Sequence, residues 1–296
     1  METTWLVVLL RLCVQIFAGP IYLLWYLGIW GPLCKKFFPY FMASVSVDYN
    51  KRMFVKKKEL FSNLNDFARP AGTLRLLEIG TGTGTNFQFY PTGCRITCTD
   101  PNPNFDKFLA ESLSQNPHLQ VERCLVTPAE DLHEIPDASV DVVVCTLVLC
   151  SVKSIEGVVV EVLRVLRPGG AFYFLEHVAD APSSWTLFWQ QVCEPTWRVL
   201  FDGCHLTRET WKELEKAGFS EGDSGGPLVC YFPDATKYYL IGITSSGYGC
   251  GRPKYPGIYV HTAYYRSWID SHLHNKTTTA SIQFVLIAGW ITFHIL

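Results

Sequence analysis

The feature that most constrains the fold of this chain is a glycine-rich turn directly after an apolar run. The run from Leu74 to Ile79 is typical of a buried β-strand, and it leads into Gly80-Thr-Gly-Thr-Gly84. Glycines at alternate positions permit a sharp turn whose backbone approaches a ligand with no Cβ in the way. Asp100 ends the next apolar run, where a carboxylate can accept both hydroxyls of a ribose. The pattern predicts a nucleoside site at the end of a first strand.

The segments around this turn alternate between strand length and helix length, which is typical of βαβ units and a mostly parallel sheet. Further strands are predicted at Leu119–Leu125, Val140–Leu149 and Ala171–Leu175, with a helix over Ile155–Leu166. Val140–Leu149 is continuously apolar, as a central strand buried on both faces requires. The middle of the chain is therefore predicted to be an α/β, Rossmann-like domain.

The spacing of the glycines discriminates between cofactors. Dinucleotide-binding folds use G-x-G-x-x-G, in which the third glycine opens a helix whose N-terminus holds pyrophosphate. This chain has G-x-G-x-G after the acidic residue Glu78. That pattern resembles the first motif of class I S-adenosylmethionine-dependent methyltransferases. A Rossmann-like domain that binds another nucleotide is the alternative.

The resemblance implies S-adenosyl-L-methionine as the cofactor, with no metal ion. Pro128-Ala-Glu-Asp131 lies where that family contacts adenine through a backbone N–H and a side-chain acid. The cofactor-binding residues that the resemblance implies are Glu78, Gly80, Gly82, Gly84, Asp100, Asn102, Ala129, Glu130 and Thr146.

Longer stretches narrow the resemblance to one family. They are Pro32-Leu-Cys-Lys-Lys36, Asn86-Phe-Gln-Phe-Tyr-Pro91, Asp100-Pro-Asn-Pro103, the run 142–152 and Trp189-Gln-Gln-Val-Cys-Glu-Pro-Thr-Trp197. All are similar to the methyltransferase-like 7 proteins, which are membrane-anchored alkyl thiol methyltransferases. The likeness covers residues 1 to about 221. It implies methyl transfer to a small lipophilic thiol, at the endoplasmic reticulum membrane or at lipid droplets.

Methyl transfer to a thiol requires little activation of the acceptor by the enzyme. A free thiol has a pKa of about 8.5, is partly ionised at neutral pH, and gives a strongly nucleophilic thiolate. The enzyme must mainly align the reacting atoms in a site shielded from water. His177, at the end of the fifth strand, is the candidate base for the thiol proton, with a purely structural histidine as the alternative. The tryptophan-rich segment 183–200 is either a wall of the acceptor pocket or ordinary packing.

The N-terminal segment predicts retained attachment to a membrane. From Trp5 to Leu33 only Arg11 is charged, and a Gly19-Pro20 break leaves two halves that are each too short for a ~30 Å hydrocarbon core. One kinked span or a hairpin dipping into one leaflet fits this pattern better than a cleaved signal peptide. Basic residues follow, from Lys35 to Lys58, and by the positive-inside rule they favour a cytosolic position for the next domain.

The net charge and the apolar ends of the chain restrict the classes of partner that it can bind. A net charge of −2 lacks the basic surplus that nucleic-acid binding needs, so nucleic acid is not expected as a partner. The apolar N-terminal segment predicts membrane lipid as a partner, and the resemblance implies a small lipophilic thiol substrate. The segment from Ala280 to Leu296 is again almost free of charge. It is either a marginal membrane span or a removable lipid-anchor signal, and the sequence leaves both open.

The last quarter of the chain carries a second resemblance. Gly222-Asp-Ser-Gly-Gly-Pro-Leu228 is similar to the nucleophile motif of trypsin-like serine proteases, and Ser224 would be the nucleophile. The likeness covers only about residues 222–272, and the histidine and aspartate of that family's triad have no counterpart upstream. The resemblance also implies that Cys230 and Cys250 have lost their disulfide partners.

The sequence therefore predicts two unrelated segments joined near Glu221. The predicted parts are a membrane anchor (1–34), a methyltransferase domain without its last strands (35–221), a β-rich protease fragment (222–272) and a hydrophobic tail (273–296). The runs Tyr238–Thr244 and Gly257–His261 are predicted to pair with the sheet edge left open, and a loosely packed, aggregation-prone tail is the alternative. The expected function is thiol methylation, which the replaced C-terminus could impair. A trypsin-like endopeptidase and an inactive fusion product are the alternatives.

Overall fold

The computed structural model of the chain describes residues 2–69, 72–180, 182, 184–216, 227–232, 237–246 and 258–261. They belong to two compact units. The first comprises residues 1–179 and 187–217, and the second comprises residues 180–186 and 218–296.

The first unit is built on a five-stranded parallel sheet. Its strands are β1 (Arg75–Ile79), β2 (Arg95–Thr99), β3 (Gln120–Leu125), β4 (Val140–Thr146) and β5 (Leu166–Leu175), in the order β3-β2-β1-β4-β5. All neighbouring pairs are parallel. The strand order reverses between β1 and β4, and open α/β sheets bind ligands at the carboxyl ends of the strands beside such a reversal. The predicted Rossmann-like sheet is confirmed.

Burial along the strands follows their place in the sheet. β4 lies between β1 and β5 and is buried from Val140 to Cys145, whereas β3 at the edge is mostly exposed. Two predicted boundaries differ from the structure by more than one residue. β4 ends at Thr146 instead of Leu149, and β5 begins at Leu166 because its pairing with β4 continues across a register shift.

Seven α-helices are described, three of them before the sheet. They are α1 (Glu2–Phe17), α2 (Gly19–Tyr26), α3 (Trp30–Leu60), α4 (Asp106–Gln115), α5 (Ile155–Val165), α6 (Trp185–Leu200) and α7 (Thr210–Lys216). α5 shows why these segments form helices. The Ser154 side chain accepts a hydrogen bond from the Gly157 N–H at its start, and its four buried valines recur at helical spacing.

A buried carboxylate joins the amino-terminal ends of the strands. Asp141 is fully buried and accepts hydrogen bonds from the Arg69 Nε at 2.9 Å and from the Arg75 backbone N–H at 2.8 Å. Arg167 forms a second ion pair with the same carboxylate and donates to the Phe67 carbonyl at 2.9 Å. This network lies at the end of the sheet opposite to the reversal crevice.

The N-terminal helices are sharply bent at the predicted break. The axes of Trp5–Phe17 and Gly19–Tyr26 differ by 72°. Within the part of the chain that is described, no single helix is long and apolar enough to cross a membrane, although this bent pair passes the same criterion of length and composition. The pair contacts α6, since Arg11 donates to the Gln191 carbonyl at 2.8 Å. The Gly19-Pro20 kink is therefore present, and the choice between a span and a hairpin stays a prediction.

The second unit contains a small antiparallel sheet. Its strands are β6 (Pro227–Phe232), β7 (Lys237–Ser246) and β8 (Ile258–His261), in the order β6-β7-β8. The predicted pairing of Tyr238–Thr244 and Gly257–His261 with the open edge of the first sheet is wrong, because β7 and β8 pair with each other in a separate three-stranded sheet. Consecutive antiparallel strands need only short connections, so this local pairing has the smaller entropic cost.

Candidate cofactor site

The glycine-rich turn has the strained backbone that its sequence predicts. Gly80, Gly82 and Gly84 have φ angles of +61°, +54° and +72°, in the left-handed region that favours glycine. A Cβ on Gly80 would overlap the side chain of Val148, and a Cβ on Gly84 would lie 2.6 Å from the ring of Phe87. The turn after β1 therefore requires glycine both for conformation and for space.

Asp100 connects this turn to the end of β2. Its two carboxylate oxygens accept hydrogen bonds from the Gly82 N–H at 3.0 Å and from the Asn102 N–H at 2.9 Å. Burial raises the pKa of Asp100 to about 6, although both backbone hydrogen bonds act in the opposite direction. Each carboxylate oxygen can accept a further hydrogen bond. Asp100 can therefore hold the two hydroxyls of a ribose, as the sequence predicts.

A buried polar chain crosses the reversal point between β1 and β4. The side-chain NH2 of Asn86 donates to the Glu78 carboxylate at 2.8 Å and to the Thr146 hydroxyl at 3.0 Å. Burial raises the pKa of Glu78 to about 7. The Asn86 Oδ1 is buried without a hydrogen-bond partner among the described residues. A buried acceptor without a partner is uncommon, and a hydrogen-bond donor on a bound ligand would satisfy it.

Two residues near the glycine-rich turn, Asn86 and Lys57, were not among the predicted site residues. Asn86 was recognised only as part of a family stretch, although a polar residue directly after the glycine-rich turn is a usable signal. Lys57 belongs to the basic stretch from which the sequence predicts only a cytosolic orientation, but it is 1% exposed and donates to the Asn50 side chain at 2.8 Å. Burial lowers its pKa to about 8. Its ammonium also lies 3.4 Å from the Thr85 hydroxyl, so α3 is fixed against the turn.

The remaining predicted cofactor residues already have structural partners. Asn102 is buried, and its side chain accepts from the Asn104 N–H and donates to the Lys35 carbonyl. Ala129 is buried as well. Glu130 accepts from the Lys153 N–H at 2.6 Å, directly before α5. Contacts of these side chains with a cofactor stay predictions.

His177 is held in the interior. It is 8% exposed, and its Nε2 lies 3.4 Å from the Cys204 Sγ and 3.1 Å from the His205 carbonyl oxygen. Burial alone would lower the pKa of His177. The opposite effects of Cys204 and Glu176 are larger together, and the pKa is raised to about 9. An imidazole that keeps its proton at neutral pH is a poor general base. The base role of His177 stays a prediction, and Ser224 lies outside the described residues.

The tryptophans of α6 differ in environment. Trp197 is buried and its ring centroid lies 4.0 Å from that of Phe201, which is core packing. Trp189 is 38% exposed and can still face an acceptor. The pocket role of this helix stays a prediction.

Alanine at Gly80 is expected to destabilise the protein more than alanine at Gly93. Both glycines have a positive φ, but a Cβ has open space at Gly93 and overlaps Val148 at Gly80. Forcing a methyl group into a packed site costs about 1–3 kcal/mol, and this is the expected difference between the two variants in urea unfolding. Equal unfolding free energies would contradict the tight turn.

Cofactor affinity is expected to fall at acidic pH. A ribose needs the ionised Asp100 as acceptor, and the pKa of this residue is about 6. The affinity should be constant well above pH 6 and fall about tenfold per pH unit below it, because each unit reduces the ionised fraction tenfold. Titrations from pH 5 to 8 check this result. The profile of Asp100→Asn should lose this step, and a step that persists would instead belong to Glu78.

Known proteins resemble both parts of the chain. Residues 77–174 match the family described as methyltransferase domain, and residues 207–269 match the trypsin family. The human protein "Thiol S-methyltransferase TMT1A" is 60% identical over 221 residues, which are 75% of this chain and 90% of the relative. Human "Thiol S-methyltransferase TMT1B" is 56% identical over 216 residues, 73% of this chain and 88% of the relative.

A solved structure is similar to the chain with a lower sequence identity. It is a SAM dependent methyltransferase from Aquifex aeolicus, with a TM-score of 0.38 and 15% identity over 54% of this chain and 77% of its own. The methyltransferase match includes β1, β2 and β4, and therefore the glycine-rich turn, Asp100 and Thr146.

Proposed function

Because the chain belongs to the thiol S-methyltransferase family, we propose that it transfers a methyl group from S-adenosylmethionine to the sulfur of small lipophilic thiols at a membrane. The observation that carries the proposal is the 60% identity to thiol S-methyltransferase TMT1A over 90% of that relative. The site between β1, β2 and β4 supports it with a geometry that suits the cofactor.

Three features of the site fit S-adenosylmethionine. Asp100 keeps acceptor capacity for the ribose hydroxyls beyond its two backbone hydrogen bonds. Asn86 has a buried acceptor oxygen without a partner among the described residues. At Gly82, which also has a positive φ, a Cβ would have no protein atom closer than 3.7 Å, so no side chain is packed tightly over this part of the turn. The turn can therefore lie close to a ligand that carries an amino acid and no phosphate.

The bound cofactor supplies a methyl group activated by a sulfonium. The protein has to hold this group in line with the acceptor sulfur and keep water away. The hydrogen bonds from Gly82 and Asn102 fix Asp100, and Glu78 and Thr146 fix the Asn86 amide, so both groups are oriented before any ligand binds. The acceptor thiol has a pKa of about 8.5 and ionises partly on its own, so a strong base is unnecessary.

Membrane binding is part of the proposal. The bent pair α1–α2 leaves large apolar side chains in contact with solvent, with Ile16 77%, Phe17 91% and Tyr26 82% exposed. Arg11, the charged residue of this run, hydrogen-bonds to the Gln191 carbonyl of α6. Such a surface is stabilised by lipid. Lipophilic thiols concentrate in membranes, so we propose that the protein is attached to the endoplasmic reticulum membrane or to lipid droplets, with the catalytic domain facing the cytosol.

Methyl transfer from labelled S-adenosylmethionine tests the proposed activity. The full chain in detergent should methylate an alkyl thiol and leave the alcohol of equal chain length unmodified. A replacement of the last strands that impairs folding would lower the rate without changing this preference. Cofactor binding without any thiol methylation would contradict the proposed acceptor class.

Flotation with vesicles tests membrane attachment. The chain should float with the vesicles, and replacing Phe17 and Tyr26 by aspartate should reduce the floated fraction because both side chains are exposed on the apolar surface. Equal flotation of the variant and the unmodified chain would contradict attachment through α1–α2.

The match to the trypsin family makes a peptidase the second candidate. It contains Ser224, but the upstream chain is a methyltransferase domain and provides no histidine and aspartate of a protease triad. We expect no labelling of Ser224 by a fluorophosphonate probe. Labelling of the native chain that is lost in Ser224→Ala would support this candidate.

A further inference from the structure

A second cluster of reactive side chains lies apart from the glycine-rich turn. Cys150 follows β4, His177 follows β5 and Cys204 follows α6, so the fold brings together residues that are distant in sequence. The Cys204 Sγ lies 3.6 Å from the Cys150 Sγ and 3.4 Å from the His177 Nε2. All three ligand atoms lie within 4.8 Å of one another.

These distances are close to those around a tetrahedral metal ion. With metal–sulfur bonds of about 2.3 Å and metal–nitrogen bonds of about 2.05 Å, the sulfurs are about 3.8 Å apart and sulfur and nitrogen about 3.6 Å apart. The two observed distances, 3.6 Å and 3.4 Å, agree with these values within about 0.2 Å. Two of the three ligand distances therefore match a tetrahedral site, and the third, between the Cys150 Sγ and the His177 Nε2, is at most 4.8 Å.

The cluster is buried and contains soft ligands. Cys150, His177 and Cys204 are 1%, 8% and 7% exposed. The imidazole presents Nε2 to the cysteines, while Nδ1 has no hydrogen-bond partner among the described residues. Two thiolates and one imidazole select zinc-like cations over magnesium or calcium, which prefer oxygen.

The surrounding hydrogen bonds hold the ligands in place. The Trp197 Nε1–H points at the Cys204 Sγ from 3.3 Å, a contact that suits a sulfur bearing negative charge. The turn that carries Cys150 is fixed because the Val148 and Leu149 N–H groups donate to Glu176, at 2.9 Å and 3.1 Å. Ligands that are oriented before binding lose less entropy when the metal arrives.

We propose that Cys150, His177 and Cys204 form a binding site for a thiophilic divalent transition-metal ion of the zinc class. Binding forms two metal–sulfur bonds and one metal–nitrogen bond, and the two thiol protons and the proton of the His177 imidazolium pass to solvent. Three protein ligands leave one coordination position open. An open position on such a metal suits a thiolate, which is the acceptor class of the proposed function, but the metal site itself is independent of that function.

Titration of the reduced, metal-free full chain with Co²⁺ tests the proposal. We expect visible absorption of tetrahedral cobalt and a thiolate-to-cobalt band, both removed by one equivalent of Zn²⁺. Cys150→Ser and Cys204→Ser should each weaken binding at least 100-fold. Cys193→Ser is the matched control, because Cys193 is also buried but takes no part in the cluster. Trp197→Phe keeps a ring and should weaken binding about tenfold through loss of the N–H donor.

Cofactor binding is measured in the same preparations, so that a variant that fails to fold is recognised. Loss of the cobalt band with retained S-adenosylmethionine binding supports the site. Three results would overturn it: no thiolate-to-cobalt band in the unmodified chain, a band that survives in Cys204→Ser, or an equal loss in Cys193→Ser. A disulfide between Cys150 and Cys204 that persists under reducing conditions would overturn it as well.

Discussion

Replacing Asp100 by alanine is expected to weaken the binding of S-adenosylmethionine by a factor of roughly 10² to 10⁴. Each hydrogen bond to a charged group contributes about 1.5–3 kcal/mol, and two ribose hydroxyls can donate to this carboxylate. The alanine variant also leaves the Gly82 and Asn102 N–H groups without their acceptor. Both effects act on cofactor binding, and calorimetric titration measures their sum.

Asp106→Ala is the control for this experiment. Asp106 begins α4, is exposed, and its charge acts on Asp100 through space. Removing it changes the local charge equally but leaves the glycine-rich turn intact, so the affinity should change less than about threefold. If Asp100→Ala binds the cofactor as tightly as Asp106→Ala does, the cofactor site is elsewhere.

Replacing Asp141 by alanine is expected to lower the free energy of unfolding by about 3–5 kcal/mol. Removing one partner of a buried ion pair carries a cost of that size, and Asp141 pairs with Arg69 and Arg167 and also accepts from the Arg75 N–H. The network lies at the opposite end of the sheet from the cofactor site. Urea unfolding should therefore show a large loss, while the cofactor affinity of the folded variant stays unchanged.

Asp137→Ala separates this effect from a general loss of negative charge. Asp137 also pairs with an arginine, Arg164, but its side chain is 78% exposed. Exposed pairs contribute about 0–1 kcal/mol, so the control should be nearly as stable as the unmodified chain. Similar losses in both variants would contradict the structural role assigned to burial of Asp141.

The sheet and its crevice could be predicted because local patterns determine them. Continuous apolar runs locate β1 and β4, and glycines at alternate positions require the turn whose positive φ angles the structure shows. Asp100 follows from its position directly after a strand. Each of these inferences depends on neighbouring residues, which is the information that a single sequence holds most directly.

The remaining features depend on contacts between distant segments. Lys57 looks like a surface lysine in its basic stretch, and only the packing of α3 on the turn buries it beside Asn50. Cys150 and Cys204 meet although 54 positions separate them. The strands after residue 226 pair locally instead of completing the first sheet, and the apolar pattern of a strand does not specify its partner.

The central claim is that this chain retains a working S-adenosylmethionine site although its last part matches the trypsin family. Calorimetric titration of the full chain with S-adenosylmethionine tests it most directly. We expect saturable binding of one cofactor per chain, with binding lost in Asp100→Ala and kept in Asp106→Ala. A folded chain that shows no binding, or an Asp100→Ala variant that binds like the unmodified chain, would contradict it.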